Sequence, residues 1–398
     1  MTKPRWWFLL ALVVTLAALA AVGCGGDDDD GEAGGGGDTG AATDTGGGGE
    51  AVECTASIGI MGPFTGDAAT IGQEQLNWAK FSVERFNEEN GTDFTLVEGD
   101  TQLDPAQAST VAPQFVSNDD IIAVVGPAGS QEIDAVGQIF DRASMAFVSP
   151  SATATDLAEK FETFFRVVPT DADQGPTDAT YMTEELSAKK VLIVDDQSSY
   201  STGLADQTAT ALEDAGVTVE RESVSQDQTD FSALVSSVAN DTDVVFLPWQ
   251  IAANAQLFGN QLAEQGKEAI IFGSDGLFAP DDFHIAGSFV SSFAPDITGL
   301  DDPAIQELAQ AYQQEYGDFG TFGPPTFEAT RVLMTAIHSL CEEGEEPSRE
   351  AVLERVAETD LQDSILGFPI TFDDTGDVEG AKFFIFEVAE GGAFELVE

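Results

Sequence analysis

Basic side chains are scarce in this chain. Its 398 residues hold 15 Lys and Arg against 71 Asp and Glu, a formal net charge of −56. No nucleic-acid partner is expected, because phosphate backbones are met by patches of Lys and Arg. Self-repulsion on this scale destabilises a compact fold at low ionic strength. Salt at ~1 M shortens the Debye length to ~3 Å and relieves much of it. The composition reads as a halophilic, acidic adaptation to salt, with acidic solubility in ordinary medium as the plainer alternative. Histidine is scarcer still: the chain has 2, His284 beside the "PDDF" loop and His338 inside an apolar helical run. No His-x-Glu metal spacing, Gly-Lys phosphate loop or nucleophile elbow is present. Acidic pairs such as Asp195-Asp196 and Asp373-Asp374 arise by chance among 71 acids. No enzyme, metal or cofactor is therefore expected.

Long apolar runs are equally few. One, "WWFLLALVVTLAALAAV", follows the basic start "MTKPR" and leads into "VGC" at Cys24. That is a secretory signal peptide in form, and it resembles the lipobox of bacterial lipoproteins. The resemblance implies cleavage after residue 24's neighbour, lipidation of Cys24 and a membrane-anchored protein, although Ala21 stands where that box usually has Leu. An uncleaved membrane helix is the second reading, since the run approaches the ~18 residues of a short span. Residues 25–50, "GGDDDDGEAGGGGDTGAATDTGGGGE", offer nothing to bury and read as a disordered Gly/Asp-rich linker. Beyond Cys24 two cysteines remain, Cys54 and Cys341. An even pair in an exported chain reads as a disulfide candidate, with two buried thiols as the alternative.

From Ser57 the pattern alternates strand and helix. "SIGIMGPF", "DFTLVEGD", "IIAVVG" and "MAFVSP" read as strands, the last two apolar throughout, as in a parallel sheet covered on both faces. Helices are expected between them over 71–89, 104–118 and 130–144, with Pro113 kinking or dividing the second. The theme restarts at "KKVLIVDD" and continues through "VTVERESV", "TDVVFLPW" and "AIIFGSD". Helices over 303–317, 325–344 and 348–358 follow, then strands "ITFDD" and "AKFFIFEVAE". Alternation of this kind argues for two doubly wound α/β units. Such sheets bind ligands outside the carboxyl ends of their strands. Gly62, Gly126, Ser149, Asp195, Pro248 and Ser274 stand at those ends.

Eight segments in order carry a resemblance to one family. They are "IGIMGPFTGDAATIGQEQLNWAKFSVERFN", "DTQLDPAQA", "VVGPAGS", "SPSATATDL", "FRVVPTDADQGP", "SSYSTGLA", "TDFSALV" and "FGSDG". Together they resemble type I periplasmic solute-binding proteins of the leucine/isoleucine/valine-binding group. The resemblance covers about Ser57 to Glu398. It implies a periplasmic binding protein-like type I fold, with two doubly wound α/β domains joined by a three-segment hinge. The crossings are expected near Val168, Ala294 and Thr371. One lobe then holds 51–167 plus 295–370, the other 168–294 plus 371–398. Cys54 and Cys341 would share the first lobe, which makes their disulfide feasible.

The resemblance also implies a ligand set. Ser130 and Thr153 match groups that hold an amino acid's carboxylate and amino group, and Ser151 stands where backbone groups face the ligand. Tyr200 and Asp275 would come from the second lobe, Asp275 pairing with the ammonium. Hydroxyls and one carboxylate together suit a zwitterion without importing a full positive charge. Simpler readings are a helix cap for Ser130 and a turn carboxylate for Asp275. Ile71, Trp249 or Gln250, and Phe322 would line the side-chain pocket, apolar except for Gln250. The implied role is substrate binding for an ABC importer, as a monomer delivering an amino acid to a membrane permease outside the cytoplasm. A ligand-binding protein for amides, urea or another small solute is the alternative. A role in presenting ligand to a separate sensor is another, although no second apolar segment follows.

Overall fold

The computed structural model describes residues 54–398. The leader, Cys24 and the 25–50 linker lie outside the described residues. Five strands open the fold: β1 (Thr55–Gly62), β2 (Asp93–Asp100), β3 (Ile121–Val125), β4 (Phe147–Ser149) and β5 (Phe164–Arg166). They form one parallel sheet in the order β2-β1-β3-β4-β5. A second sheet follows with β6 (Lys190–Asp195), β7 (Thr218–Ser223), β8 (Val244–Leu247), β9 (Ile270–Gly273) and β10 (Phe289–Ser292). The short pair β11 (Asp360–Leu361) and β12 (Ile370–Thr371) stands apart. The chain then adds β13 (Phe384–Val388) and β14 (Phe394–Leu396) antiparallel at one edge, giving the order β14-β13-β10-β9-β8-β6-β7.

Helices cover both faces of each sheet. They are α1 (Ala69–Asn90), α2 (Pro105–Ser117), α3 (Ser130–Asp141), α4 (Leu157–Lys160), α5 (Asp171–Glu184) and α6 (Ser199–Asp214). Then come α7 (Ser232–Ser237), α8 (Ala252–Glu264), α9 (Pro303–Tyr316), α10 (Gly323–Glu343) and α11 (Arg349–Ala357). On the first sheet, Trp78, Leu333 and Ile337 from α1 and α10 pack against Ile58, Ile60 and Val125. Its other face meets Ala108 and Phe115 of α2 and Ile133, Val136 and Phe140 of α3. The second sheet is sandwiched in the same way, by α5 and α6 on one face and α7 and α8 on the other. The doubly wound α/β lobes expected from the strand alternation are the observed architecture.

Three differences from the sequence reading have physical causes. Helix α2 runs undivided through Pro113; Asp104 caps its start by accepting from Ala106 N at 2.7 Å, and Ala108, Ala112 and Phe115 bury its apolar face. The sequence reading passed over α5, whose Gly175, Pro176 and three aspartates hide the helical period. The third passage between lobes lies later than Thr371. Phe372 and Val378 still pack on the first core, Arg166 N donates to Gly376 O, and the chain joins the second sheet only at Phe384. Cys54, just before β1, and Cys341 on α10 are joined as a disulfide with a Cα–Cα separation of 5.6 Å.

Candidate functional site

Strands β1, β3, β4, β6, β8 and β9 all end at the same cleft, and the loops leaving them build its walls. The hydroxyls of "VVGPAGSQEI" and "SPSATATD" first bind each other's loops. Ser149 Oγ donates to Pro127 O at 2.8 Å and accepts from Ala152 N at 3.0 Å. Ser151 Oγ donates to Ala128 O and accepts from Gln75 Nε2, both at 2.9 Å. Ser130 Oγ accepts from Ala154 N at 3.2 Å. The cap of α3 falls to Gly129, whose N–H donates to Glu132 Oε2 at 2.8 Å, so Ser130 is the first helical residue. Gly126 permits the approach of these loops: its φ is +89°, and a Cβ there would sit 2.2 Å from Met61 O. Thr153 differs from its neighbours, being fully buried with no hydrogen-bond partner for Oγ1 among the described residues.

The opposite wall is acidic and aromatic. Tyr200, near the start of α6, donates its hydroxyl to Asp275 Oδ1 at 2.7 Å and lies 2.7 Å from Ser274 Oγ. Gln174 Nε2 also donates to Asp275 Oδ1, at 2.8 Å, and to Ser291 Oγ at 2.9 Å. Gly276 lets this turn press on the end of β8, since a Cβ there would lie 2.3 Å from Trp249 O. Burial pushes the Asp275 carboxyl up to about 6, against the lowering effect of its two donors. Asp171 is pushed up to about 7 by burial, opposed by the Thr153 hydroxyl beside it and by Arg166, with the nearby Asp275 charge adding to the rise. Asp178, two turns further along the same helix face, is raised well above the ordinary range by burial and by the same two carboxylates. Both Asp171 oxygens, Asp178 Oδ1 and Gln174 Oε1 lack partners among the described residues.

Between the walls lies a narrow cavity of about 10 Å³ lined by Ile71, Leu103, Ala128, Ser151, Tyr200, Gln250, Asp275, Gly276 and Phe322. That is room for about one water, so the two walls nearly meet in this structure. Its apolar side, Ile71, Leu103 and Phe322, is continuous with Val168, Phe293, Ala294 and Phe383, where the chain passes between lobes. Phe322 is held by Glu74, whose carboxylate accepts from Gly320 N at 3.0 Å and Gly323 N at 2.5 Å.

Of the candidates read from sequence, Ile71, Ser151, Tyr200, Gln250, Asp275 and Phe322 line this one cavity. Ser130 and Thr153 are buried in the adjoining loops without lining it. Trp249 is the correction. Its indole belongs to the core of the second lobe, with Nε1 donating to Val194 O at 2.7 Å and the ring packed on Phe231 and Phe258. Both residues lie beyond the end of β8, and of that pair Gln250 lines the cavity.

Sequence reasoning missed Asp171, Gln174 and Asp178, whose i, i+3, i+7 spacing would have marked one helix face once α5 was recognised. It also missed Arg166, which is wholly buried. Its guanidinium donates to Ala152 O, Ala154 O and Asp377 Oδ1, pinning the loop that carries Thr153. Among the described residues no group of three or more His, Cys, Asp or Glu is arranged to hold a metal. No described helix is long and apolar enough to cross a membrane.

Two doubly wound lobes, with a small cavity at their strand ends, define a two-lobed solute-binding protein. The family described as "Periplasmic binding protein" matches residues 55–393, and the chain belongs to it, as a type I member of the branched-chain amino acid group. The Leu/Ile/Val-binding protein homolog 3 of Brucella melitensis is 27% identical over 342 residues, 84% of this chain and 92% of that one. The fold is shared with the leucine binding protein LivK of Thermotoga maritima, with a TM-score of 0.80 at 21% identity, covering 86% of this chain and 98% of that one. It is shared too with LivJ of Streptococcus pneumoniae in complex with isoleucine, with a TM-score of 0.77 at 23% identity, covering 86% and 99%. These relatives are binding proteins, and the second structure belongs to a branched-chain amino acid transporter.

Proposed function

We propose that this chain is a non-enzymatic, extracytoplasmic substrate-binding lipoprotein of an ABC importer, taking a small amino acid into the cleft between its lobes. The observation that carries the reading is the cavity itself. One wall presents Ala128 and Ser151, with the Thr153 hydroxyl buried behind them, and the other presents Asp275 held by Tyr200 and Gln174. Such a pair of walls suits a zwitterion: hydroxyl and amide donors for the carboxylate, one ionised carboxylate for the ammonium. Ser130 and Ser151 then act chiefly by holding the donor loops in place. The isoleucine complex of a protein of this fold and the names of the relatives agree with an amino-acid ligand.

The lobes are proposed to meet at passages near Val168 and Ala294 and at about 379–383. Ligand settles first on the wall formed by Ala128 and Ser151. Tyr200 and Asp275 gain contact only on closure, so ligand favours the closed state through that difference in affinity. Lipidation at Cys24 would tether the protein, as a monomer, beside its permease. A thermal-shift panel of amino acids, amides and urea in molar salt tests the reading. Leucine, isoleucine, valine and other small amino acids should raise the melting temperature, and Asp275→Ala should abolish the rise while leaving the fold intact. A response confined to amides or urea would overturn it.

A further inference from the structure

Residues 319–323 lead from α9 into α10 in the first lobe and form a strap that also touches the second. On the first-lobe side Phe319 packs on Trp78 and Tyr312, with ring centroids 5.0 and 5.5 Å away. On the other side Thr321 Oγ1 is hydrogen-bonded to Ser292 Oγ at the end of β10. Phe322 meets Phe293 edge to face at 5.4 Å. Gly320 fits between Glu74 and Phe278, since a Cβ there would sit 3.1 Å from Glu74 Oε2 and 3.5 Å from Phe278 Cδ1. Phe278 directly follows the turn Asp275–Leu277, which carries the candidate ammonium partner. One side chain of α1 fastens the strap: Glu74 Oε2 accepts from Gly320 N and Oε1 from Gly323 N. Burial raises that carboxyl to about 7, and the groups opposing the rise are the amides of Gly320, Gly323 and Phe322, not a cation. A buried charge without a cation is costly. What it supplies is two separate acceptor oxygens. An amide or a protonated carboxyl keeps one acceptor and turns a donor on the other N–H.

We infer that Glu74 is a positioning residue for lobe closure, setting the strap 319–323 and, through it, the Asp275 turn of the opposite lobe. This rests on the amino-acid reading above and goes beyond it, since Glu74 does not line the cavity. Ligand and strap then stabilise the same closed arrangement, so loosening the strap lowers affinity without removing a ligand contact. Protonation of Glu74 acts as amide substitution does, because its O–H displaces one of the two N–H donors. The groups facing this carboxyl leave that titration to it. On its own helix the next charged residue, Lys80, pairs with Glu98 at 2.7 Å. From α9 comes Tyr312, whose phenol is pushed up by burial and then by the Glu74 charge. Asp318, at the entry to the strap, is exposed. The second lobe brings Phe278, a hydrocarbon. The strap is therefore set above about pH 7 and slack below it.

The test compares the wild type with Glu74→Gln and with Thr321→Val, which cuts the strap's hydroxyl bond to the second lobe, in the same molar salt. In the ligand-free protein at pH 8, amide hydrogen exchange at 320–323 should quicken at least ~10-fold in Glu74→Gln. Exchange at 277–279, in the opposite lobe, should quicken with it. Calorimetric titration with leucine, or with whichever amino acid leads the thermal panel, should show at least ~10-fold weaker binding at pH 8. At pH 5.5 the gap should fall below ~3-fold, as the wild-type carboxyl takes up its proton. The double variant should lose less than the two single losses together, because either change already frees one end of the strap. The melting temperature of Glu74→Gln at pH 8 should hold or rise, since a buried charge is gone. A fall in melting temperature, faster exchange confined to 320–323, or an affinity gap equal at the two pH values overturns the inference. If the wild type binds no amino acid, the amino-acid reading falls, and exchange at 277–279 decides the strap by itself.

Discussion

Replacing Asp275 by asparagine should stabilise the empty protein and cripple ligand binding at once. The carboxyl is 3% exposed and burial lifts it from 3.8 to about 6. A carboxylate raised in the folded state binds its proton more tightly there than in the unfolded chain. Its stabilising contribution is whole below about 3.8 and is lost as pH rises through about 6. At pH 8 the folded protein therefore carries this charge at a cost of ~3 kcal/mol, two pKa steps at ~1.4 kcal/mol each. Asparagine keeps an oxygen to accept from Tyr200 and Gln174 and removes the charge. Asp275→Asn should thus gain up to ~3 kcal/mol of unfolding stability at pH 8 and almost none at pH 4. On the proposed reading the same change deletes the partner of the ligand ammonium, which costs ~3–5 kcal/mol, or more than ~100-fold in affinity. Denaturant titration at the two pH values, with calorimetry of the leading amino acid, reads both effects. A variant that is less stable at pH 8, or binds as the wild type does, refutes the argument.

Three further outcomes are expected. Ligand affinity should rise with pH through 6 to 7, because an ammonium favours the ionised forms of Asp275 and Asp171, held at about 6 and about 7. Titrations in buffers of different ionisation enthalpy should show proton release, and proton uptake would contradict the charge assignment. The paired change Cys54→Ser, Cys341→Ser opens a link between residues 287 apart, and should lower unfolding stability by ~2–5 kcal/mol with ligand affinity kept. Two free thiols in the unreduced protein would contradict the bond. Trp249→Phe should cost ~1–3 kcal/mol of stability by orphaning Val194 O and loosening the core, and leave affinity within about twofold. A tenfold loss would return the indole to the cleft.

The strand ends were legible because they are local events. An apolar run of "IIAVV" or "VVFL" ends where glycine, proline or a hydroxyl begins, and Gly126, Ser149, Asp195 and Ser274 stand at or just past observed strand ends. Helix α5 was not legible, since the first two turns of its buried face are made of Asp171, Gln174 and Asp178 beside Gly175, and its apolar residues Ala179, Tyr181 and Met182 come only at the end. A burial pattern made of polar side chains carries no hydrophobic signal.

By itself the sequence determined the alternation of strands and helices, the acidic surface and the residues at each strand's carboxyl end. Short-range sterics and the period of apolar residues suffice for those. Only the tertiary structure decided that Gln250 and not Trp249 meets the cavity, that Gln131 bonds Gln250 across 119 positions, and that Arg166 pins the Ala152–Thr155 loop. The Gln131–Gln250 bond depends on which faces of the two sheets are brought together, and the other two on packing inside one lobe. The free energy of each comes from partners more than a hundred residues away, or from burial that no local stretch can impose.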